Sequence, residues 1–347
     1  MKNCIIMKLH KISIEEKSDK KFYFFKKHSK IKKYTSSRRI TMNNVDLLVL
    51  GHTAFDYIME VKEFSKINTS AIVEKMERLH GGAAGNVAVV ASKLGLDVGL
   101  ISCIGKDFKD SEYENEMIEE GIDISDMIIS EDANTPTAFV LTNPKDEQMF
   151  YFYWGAAKEY QTTDIPKKAI DNARAVHLAT GDPEFNIKAG KYAFESNKLV
   201  SFDPGQDLHL YSTKNLEEMI KNCNILFGNE HEIEHICDLL EKSVEELLEE
   251  NVNMVIQTLG DKGSVIYAKG EDPINIEVVP TKAVDPTGAG DSYRAAFLSL
   301  YLRDNDLKTC GRFASTVSSY IVETQGTQTN IPTPDQAFAK MNDHWTE

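Results

Sequence analysis

From residue 45 onward, apolar runs of strand length alternate along the chain with longer runs of helical periodicity. Parallel strands need a crossover between them, usually a helix, so this alternation predicts a mostly parallel sheet with helices on both faces. The predicted strands cover residues 45–51, 98–104, 175–178, 199–203, 225–228, 254–258 and 264–268. The predicted helices cover residues 85–94, 112–120, 184–196, 215–221, 230–240, 288–303 and 307–323. The pattern is that of a doubly wound α/β domain.

Two segments, residues 57–79 and 137–154, break this alternation. The second contains the stretches TAFVLT and QMFYFYW, which are typical of antiparallel strands. A small sheet that projects from the carboxyl edge of a parallel sheet would overhang the place where such folds bind ligands, so we predict a small antiparallel β lid. Strand alternation puts Phe150, Phe152 and Trp154 on one face of this lid, where they either cover a ligand or form a lid core or dimer interface.

The charge of the chain divides it into two parts. The first 41 residues hold 13 Lys/Arg and 3 Asp/Glu, whereas the remaining 306 hold 26 Lys/Arg and 51 Asp/Glu. The acidic part repels nucleic acid and anionic membranes, so a bound phosphate requires a local positive site. Met42 stands three residues before the first buried strand. We therefore interpret residues 1–41 as an extension that is disordered or not native, and residues 42–347 as one folded domain.

Two further features bear on the compartment of the protein. No run of about 18 uninterrupted apolar residues exists that would span a membrane. The five cysteines, Cys4, Cys103, Cys223, Cys237 and Cys310, are scattered without CxxC spacing, so they predict neither a disulfide framework nor a thiolate zinc site. We predict a cytoplasmic protein that binds neither membrane nor nucleic acid.

The strongest candidate site is AVDPTGAGDSYRAAF, residues 283–297, in which a glycine-rich turn opens a long apolar helix. Gly288, Ala289 and Gly290 would present unpaired backbone N–H groups at the amino end of that helix, where an anion binds favourably. Asp291 would lie beside them, placed to act as a base on a nearby hydroxyl. The alternative is that Asp285 and Asp291 cap the helix and the glycines form an ordinary turn.

A second glycine-rich turn, GGAAGN at residues 81–86, opens another apolar helix. Gly81 and Gly82 would let a polyhydroxylated ligand approach the backbone, and the Asn86 amide can both donate to and accept from hydroxyl groups. Asp56 follows the first strand and can accept hydrogen bonds from neighbouring hydroxyls. The alternative is a tight turn with an Asn cap and an exposed aspartate.

Together these two motifs resemble the signatures of the ribokinase-like carbohydrate kinase family, also called the PfkB family, over residues 45–335. The resemblance implies that Asp56, Gly82 and Asn86, with the Gly81 turn, bind the hydroxyls of the acceptor. It also implies that Asp291 is the catalytic base and that residues 288–290 form an anion hole. ATP is then the phosphate donor, Mg²⁺ neutralises its charge, and some members also use K⁺.

Two other segments fit the same resemblance. Asn229 and Glu232, in FGNEHEIEH, are similar to the family's Asn-x-x-Glu element, which helps to organise the metal and the phosphates. Thr258, Gly260 and Gly263, in QTLGDKGSVIY, are similar to its nucleotide-binding loop. No GxxxxGK[ST] phosphate loop is present.

The stretch HEIEH at residues 231–235 also satisfies the HExxH pattern of zinc proteases, with His231 and His235 on one helix face and Glu232 as a base. This alternative lacks a third ligand in a downstream HxxGxxH and leaves both glycine motifs unexplained. We expect a surface-facing histidine pair instead.

The five aromatic residues at 150–154 favour an acceptor that carries a flat base. We therefore predict a nucleoside kinase that phosphorylates the ribose 5′-hydroxyl, with a sugar or sugar-phosphate kinase (for example of ribose or fructose 6-phosphate) as the alternative. A binding or regulatory module without turnover is a third possibility, against which the intact Asp291 argues. Apolar lid strands predict a homodimer through the lid.

Overall fold

The computed structural model describes residues 44–145 and 147–346. The strands are β1 (Val45–Leu50), β2 (Ala54–Val61), β3 (Val73–Gly81), β4 (Val98–Ile101), β5 (Cys103–Gly105), β6 (Ile128–Ser130), β7 (Thr137–Thr142), β8 (Gln148–Tyr153), β9 (Ala173–Leu178), β10 (Leu199–Phe202), β11 (Ile225–Asn229), β12 (Met254–Thr258), β13 (Ser264–Ala268) and β14 (Ile274–Ile276). The α-helices are α1 (Ala83–Lys93), α2 (Glu112–Glu119), α3 (Lys167–Asp171), α4 (Pro183–Glu195), α5 (Thr213–Lys221), α6 (Glu230–Leu240), α7 (Val244–Glu249), α8 (Ala289–Tyr301), α9 (Leu307–Ile321) and α10 (Pro334–His344). Short 3₁₀ helices cover Gly155–Gln161, Gly205–Leu210 and Gly260–Lys262.

The central sheet has eight strands in the order β14-β13-β12-β11-β10-β9-β1-β4. The six strands from β12 to β4 are parallel, and β13 and β14 add an antiparallel edge. The two faces of the sheet are covered by separate apolar clusters: in β1, Leu47 and Val49 pack into one cluster and Leu48 and Leu50 into the other. The predicted doubly wound, mostly parallel sheet is confirmed.

Several local features differ from the sequence-based expectation. The predicted strand over residues 98–104 is divided at Ser102: β4 stays in the central sheet, whereas β5 pairs with β6. The Ser102 hydroxyl accepts a hydrogen bond from the Thr53 N–H, which ties this break to the loop that follows β1. Strands β6 and β14 and helices α3, α7 and α10 were not predicted. Both strands have three residues, α3 and α7 have five and six, and α10 buries only Ala337 and Met341.

The lid is a four-stranded sheet in the order β3-β2-β7-β8, built from the two predicted segments. The outer pairings, β3 with β2 and β7 with β8, are antiparallel, whereas the central pairing of β2 with β7 is parallel. The register aligns Asp56 with Ala138, and Ala138 with Phe152. Asp56 and Phe152 therefore share one face of the lid sheet.

Within the described part of the chain, no helix is long and apolar enough to cross a membrane. The interpretation of residues 1–41 as a separate extension lies outside the described residues.

Candidate active site

The amino end of α8 is formed by the predicted glycine-rich turn. Gly288 is the N-cap residue, with φ of 79°, and no side chain caps the helix. Asp285 instead organises the preceding loop, because its Oδ1 accepts from the Thr287 N–H and its Oδ2 from the Gly326 N–H. The alternative in which Asp285 and Asp291 cap this helix is therefore wrong.

The first turn of α8 leaves backbone donors free. The Ala289 N–H donates to the Pro286 carbonyl, but the N–H groups of Gly290 and Asp291 have no acceptor among the described residues. The turn is also tightly packed, since a Cβ on Gly288 would lie 2.7 Å from Thr327 Cβ. Free amides on a rigid turn at a positive helix end are suited to hold an anionic oxygen.

The Asp291 carboxylate lies at the centre of the candidate site. Its Oδ2 accepts from Asn86 Nδ2 at 2.8 Å, and its Oδ1 accepts from Arg294 Nη1 at 3.2 Å. The side chain keeps 16% of its surface exposed, so it is enclosed and still accessible to a substrate. Burial raises the pKa of Asp291, the Arg294 cation and the Asn86 hydrogen bond oppose that rise, and the charge of Glu232 adds to it.

The amide of Asn86 is fixed by residues from the segment after α9. Its Oδ1 accepts from Thr327 Oγ1 at 2.7 Å and from Gln328 Nε2 at 2.8 Å, so its Nδ2 is the end that faces Asp291. Gln328 also donates to the Tyr113 hydroxyl, which donates to the Gly81 carbonyl. Neither Thr327 nor Gln328 was predicted, although the polar run TQGTQTN at residues 324–330 was a signal that could have been followed.

Arg294 joins Asp291 to a second carboxylate. Its Nε forms an ion pair with Asp203, which follows β10 and is 2% exposed. Burial raises the pKa of Asp203, with Glu232 and Asp291 adding to the rise and Arg294 opposing it. Sequence reasoning missed Arg294, yet an arginine on the buried face of an apolar helix was a visible signal, because charged residues are rarely buried without a partner.

The acceptor-binding residues predicted from the second glycine motif lie against the same centre. The Asp56 carboxylate packs on Gly81, where a Cβ would lie 2.0 Å from Asp56 Oδ2. Gly82 has φ of 83°, and a Cβ there would lie 2.5 Å from the His52 carbonyl oxygen. Burial, together with the charges of Asp291 and Asp285, raises the pKa of Asp56 to about 7. Asp56, Gly81, Gly82 and Asn86 are thus brought together with Asp291.

The remaining predicted residues lie at the carboxyl ends of neighbouring strands. Asn229 ends β11 and is paired in register with Thr258, which ends β12. Asn229 and Glu232 form a capping box on α6: each side chain accepts from the other residue's backbone N–H. In the loop after β12, Gly260 and Gly263 have φ of 61° and 94°. A Cβ on Gly263 would lie 2.1 Å from the Ile276 carbonyl oxygen, so only glycine fits there.

The HEIEH stretch does not form a metal centre. His231 and His235 are exposed on α6. Over residues 44–145 and 147–346, no group of three or more His, Cys, Asp or Glu side chains is arranged to hold a metal ion. The third ligand that a zinc protease needs is therefore not found in this part of the chain.

Several known proteins are similar to this chain over most of its length. The family model "pfkB family carbohydrate kinase" matches residues 44–334. A nucleoside kinase of Methanothermobacter thermautotrophicus is 53% identical over 300 residues, which cover 86% of this chain and 96% of that protein. The crystal structure of Methanocaldococcus jannaschii nucleoside kinase is similar with a TM-score of 0.83 and 44% identity, covering 87% of this chain and 100% of that one. A Burkholderia thailandensis nucleoside kinase in complex with inosine is similar with a TM-score of 0.79 and 26% identity, covering 87% of this chain and 99% of that one.

Proposed function

Since the chain belongs to the pfkB family of carbohydrate kinases, we propose that it transfers the γ-phosphoryl group of ATP to the 5′-hydroxyl of a nucleoside. Family membership makes the protein a phosphotransferase with an alcohol acceptor and leaves no role for the zinc-protease interpretation. Two relatives that it resembles over nearly their whole length are named as nucleoside kinases, which supports this acceptor class over a free sugar. The observation that carries the proposal is the 2.8 Å contact between Asp291 and Asn86 at the uncapped start of α8.

In the proposed reaction, Asp291 accepts the proton of the 5′-hydroxyl as the hydroxyl oxygen attacks the γ-phosphorus. The bond between the γ-phosphorus and the β,γ-bridging oxygen of ATP breaks at the same time, and ADP leaves. Two donors, Asn86 and Arg294, hold the carboxylate in place, so little reorganisation is needed during the reaction. Arg294 and Asn86 also favour the ionised form of Asp291, which is the form that acts as a base. A positioned base of this kind contributes about 10²- to 10⁴-fold to the rate.

The anion hole in this proposal is the first turn of α8. Its donors are the N–H groups of Gly290 and Asp291, because the Ala289 N–H already donates to Pro286. Gly288 supplies the positive φ that aims the turn. The oxygens of the transferred phosphoryl group would lie against these amides, where the partial positive charge of the helix end stabilises them.

The proposed donor site lies at the ends of β11 and β12, bounded by Asn229, Thr258, Gly260 and Gly263. Mg²⁺ fits a carboxylate at this site, since it is usually held by one or two carboxylates together with substrate phosphates and water. Glu232 would supply such a carboxylate, because only one of its oxygens is used by the capping box. When bound, the metal would neutralise the charge that builds up on the phosphates. Some members of the family also use K⁺. A K⁺ requirement of this chain is tested by measuring the rate of phosphoryl transfer with choline in place of potassium.

The lid supports the proposed homodimer. Four consecutive side chains of its edge strand β8 are widely exposed, from 67% for Phe150 to 44% for Tyr153. Exposed aromatic residues on an edge strand are unusual in a monomer and are covered in a dimer. Sedimentation at micromolar protein concentration tests this, and a monomer would contradict it.

The acceptor is tested by measuring phosphoryl transfer from Mg-ATP to inosine, guanosine, cytidine, adenosine, ribose and fructose 6-phosphate. We expect nucleosides to be phosphorylated, and ³¹P NMR of the product to show a 5′-monophosphate. EDTA supplies the control for metal dependence. Turnover of the sugars without any nucleoside would contradict the proposal and favour the sugar-kinase alternative.

A further inference from the structure

A buried polar pair lies beside the acceptor residues. His52 follows β1 by two residues and is 3% exposed, and its Nε2 lies 3.2 Å from Oδ2 of Asp207, which is 8% exposed. The two atoms are close but not aligned for a hydrogen bond, and Nδ1 of His52 has no partner among the described residues. A buried polar group without a partner destabilises the folded protein, so its retention calls for an explanation.

The surroundings of this pair point to the acceptor rather than to the sheet core. The ring centroids of Phe152 and Trp154 lie 5.5 Å and 4.9 Å from that of His52. Phe152 shares its lid face with Asp56. The His52 carbonyl accepts from the Ala84 and Gly85 N–H groups, at the start of the helix that carries Asn86. His52 therefore lies between the acceptor-binding turn and the aromatic end of the lid.

Another buried histidine shows what a structural role looks like in this protein. His177, in the middle of β9, is fully buried, and its Nδ1 lies 2.9 Å from the Ser201 hydroxyl. Burial lowers the pKa of His177 to about 3, so this side chain is a neutral part of the sheet core. Within the described residues, His177 lacks a partner at Nε2 alone, whereas His52 has no aligned partner at either nitrogen. His52 also differs in facing a carboxylate and the aromatic rings of the lid.

We propose that His52 and Asp207 bind the polar edge of the acceptor's nucleobase, while Phe152 and Trp154 contact its face. This inference rests on the nucleoside kinase function proposed above. An imidazole N–H donates and a carboxylate accepts, and a 6-oxopurine presents the complement, an O6 acceptor next to an N1–H donor. Binding of the base would give the two side chains the partners that they lack.

The test compares the affinities of two proteins, wild type and one variant, for two ligands that differ only at the edge of the base. Purine riboside keeps the ring and ribose of inosine but lacks O6 and the N1–H. The variant His52→Phe keeps an aromatic ring against Phe152 and Trp154 but removes both nitrogens. We expect calorimetry to show that wild type prefers inosine over purine riboside and that His52→Phe loses this preference by about tenfold or more, with purine riboside affinity nearly unchanged.

Controls separate this inference from the proposed function. His235→Phe, on the exposed face of α6, should leave both affinities unchanged. If wild type phosphorylates inosine and His52→Phe keeps the full preference for inosine, this inference fails and the kinase function stands. If wild type neither binds nor phosphorylates any nucleoside, the proposed function itself fails. Should His52→Phe not fold, Asp207→Asn replaces it in the same binding comparison and should also weaken the preference for inosine. In wild type, the imidazole NMR signals of His52 should shift when inosine is added, and unchanged signals would contradict the inference.

Discussion

Two helices begin close together at the candidate site, and their amino ends are built in opposite ways. Helix α6 begins after Asn229 with a full capping box, in which Asn229 and Glu232 satisfy each other's backbone N–H groups. Helix α8 begins after Gly288 with no side-chain cap and leaves the Gly290 and Asp291 amides free of any acceptor within the described residues. The amino end of α6 has its backbone donors satisfied by side chains, whereas the amino end of α8 keeps free donors that are suited to an anion.

The same contrast extends to the other helices of the described chain. Among those of eight residues or more, α2, α4, α5, α6, α9 and α10 have a side-chain cap, and α1 and α8 begin at a glycine without one. In α1 a backbone group replaces the missing side-chain cap, because the His52 carbonyl accepts hydrogen bonds from the Ala84 and Gly85 N–H groups. The amino end of α8 is thus the one whose free amides fit an anion-binding role, beside a carboxylate fit to be a base.

The largest expected effect comes from removing the proposed base. Asp291→Asn keeps the size of the side chain but cannot accept the hydroxyl proton, so we expect kcat to fall by about 10²- to 10⁴-fold. Nucleoside and Mg-ATP affinity, measured by calorimetry, should change little. Asp238→Asn, an exposed aspartate on α6, is the control. Unchanged turnover in Asp291→Asn would remove this residue from its assigned role and erase the difference between the two helix ends.

The glycine that opens α8 gives the next largest effect. Gly288→Ala places a Cβ against Thr327 at a φ of 79°, so the turn must shift, and we expect kcat to fall by roughly 10²-fold. Gly121 has the same φ of 79°, but a Cβ added there would meet nothing within 4 Å, so Gly121→Ala reports backbone strain alone. That control should lower the free energy of unfolding by about 1 kcal/mol and leave kcat unchanged. Equal kinetic effects in both variants would show that the α8 turn has no special function.

The pH dependence of kcat tests the role of Arg294. The Arg294 cation opposes the burial that raises the pKa of Asp291, so Arg294→Gln should raise that pKa further. The acid limb of the kcat profile should then move to higher pH by about 1–3 units. Asn86, Glu232, Asp203 and Asp56 also face Asp291 and stay in place.

Arg294→Lys is the matched control, because it keeps the positive charge. The acid limb of its kcat profile should therefore stay close to the pH at which wild type shows it. Removal of the cation also leaves Asp203 buried without its partner, so Arg294→Gln should be less stable by about 3–5 kcal/mol. A loss of stability with an unchanged acid limb would mean that Arg294 supports the fold and does not tune Asp291.

The sequence predicted the central sheet well because its signals are local. Strands such as β12 and β13 are short apolar runs bounded by polar residues, and their predicted ends match the observed ones. The division of residues 98–104 into β4 and β5 was missed because it depends on a tertiary contact, the Ser102 hydrogen bond to Thr53. Periodicity carries no information about such a partner.

The candidate site shows the same limit. Glycine-rich turns can be recognised in a sequence, since they need residues of one type at fixed spacing. The sequence therefore predicted that Asp56, Asn86 and Asp291 belong to one site. The residues that orient them come from distant parts of the chain: Thr327 lies 241 positions from Asn86. A hydrogen bond across such a separation leaves no pattern along the sequence.

The smallest expected effect concerns the capped end of α6, and it separates two roles of Asn229. Asn229→Ala removes a capping box, as Thr333→Ala does at the start of α10. Both changes should lower the free energy of unfolding by about 1 kcal/mol in urea titrations. In our proposal Asn229 also borders the donor phosphates, so only Asn229→Ala should raise the KM for Mg-ATP, by roughly tenfold or less. If both variants lose the same stability and neither changes that KM, Asn229 is a helix cap alone and does not contribute to nucleotide binding.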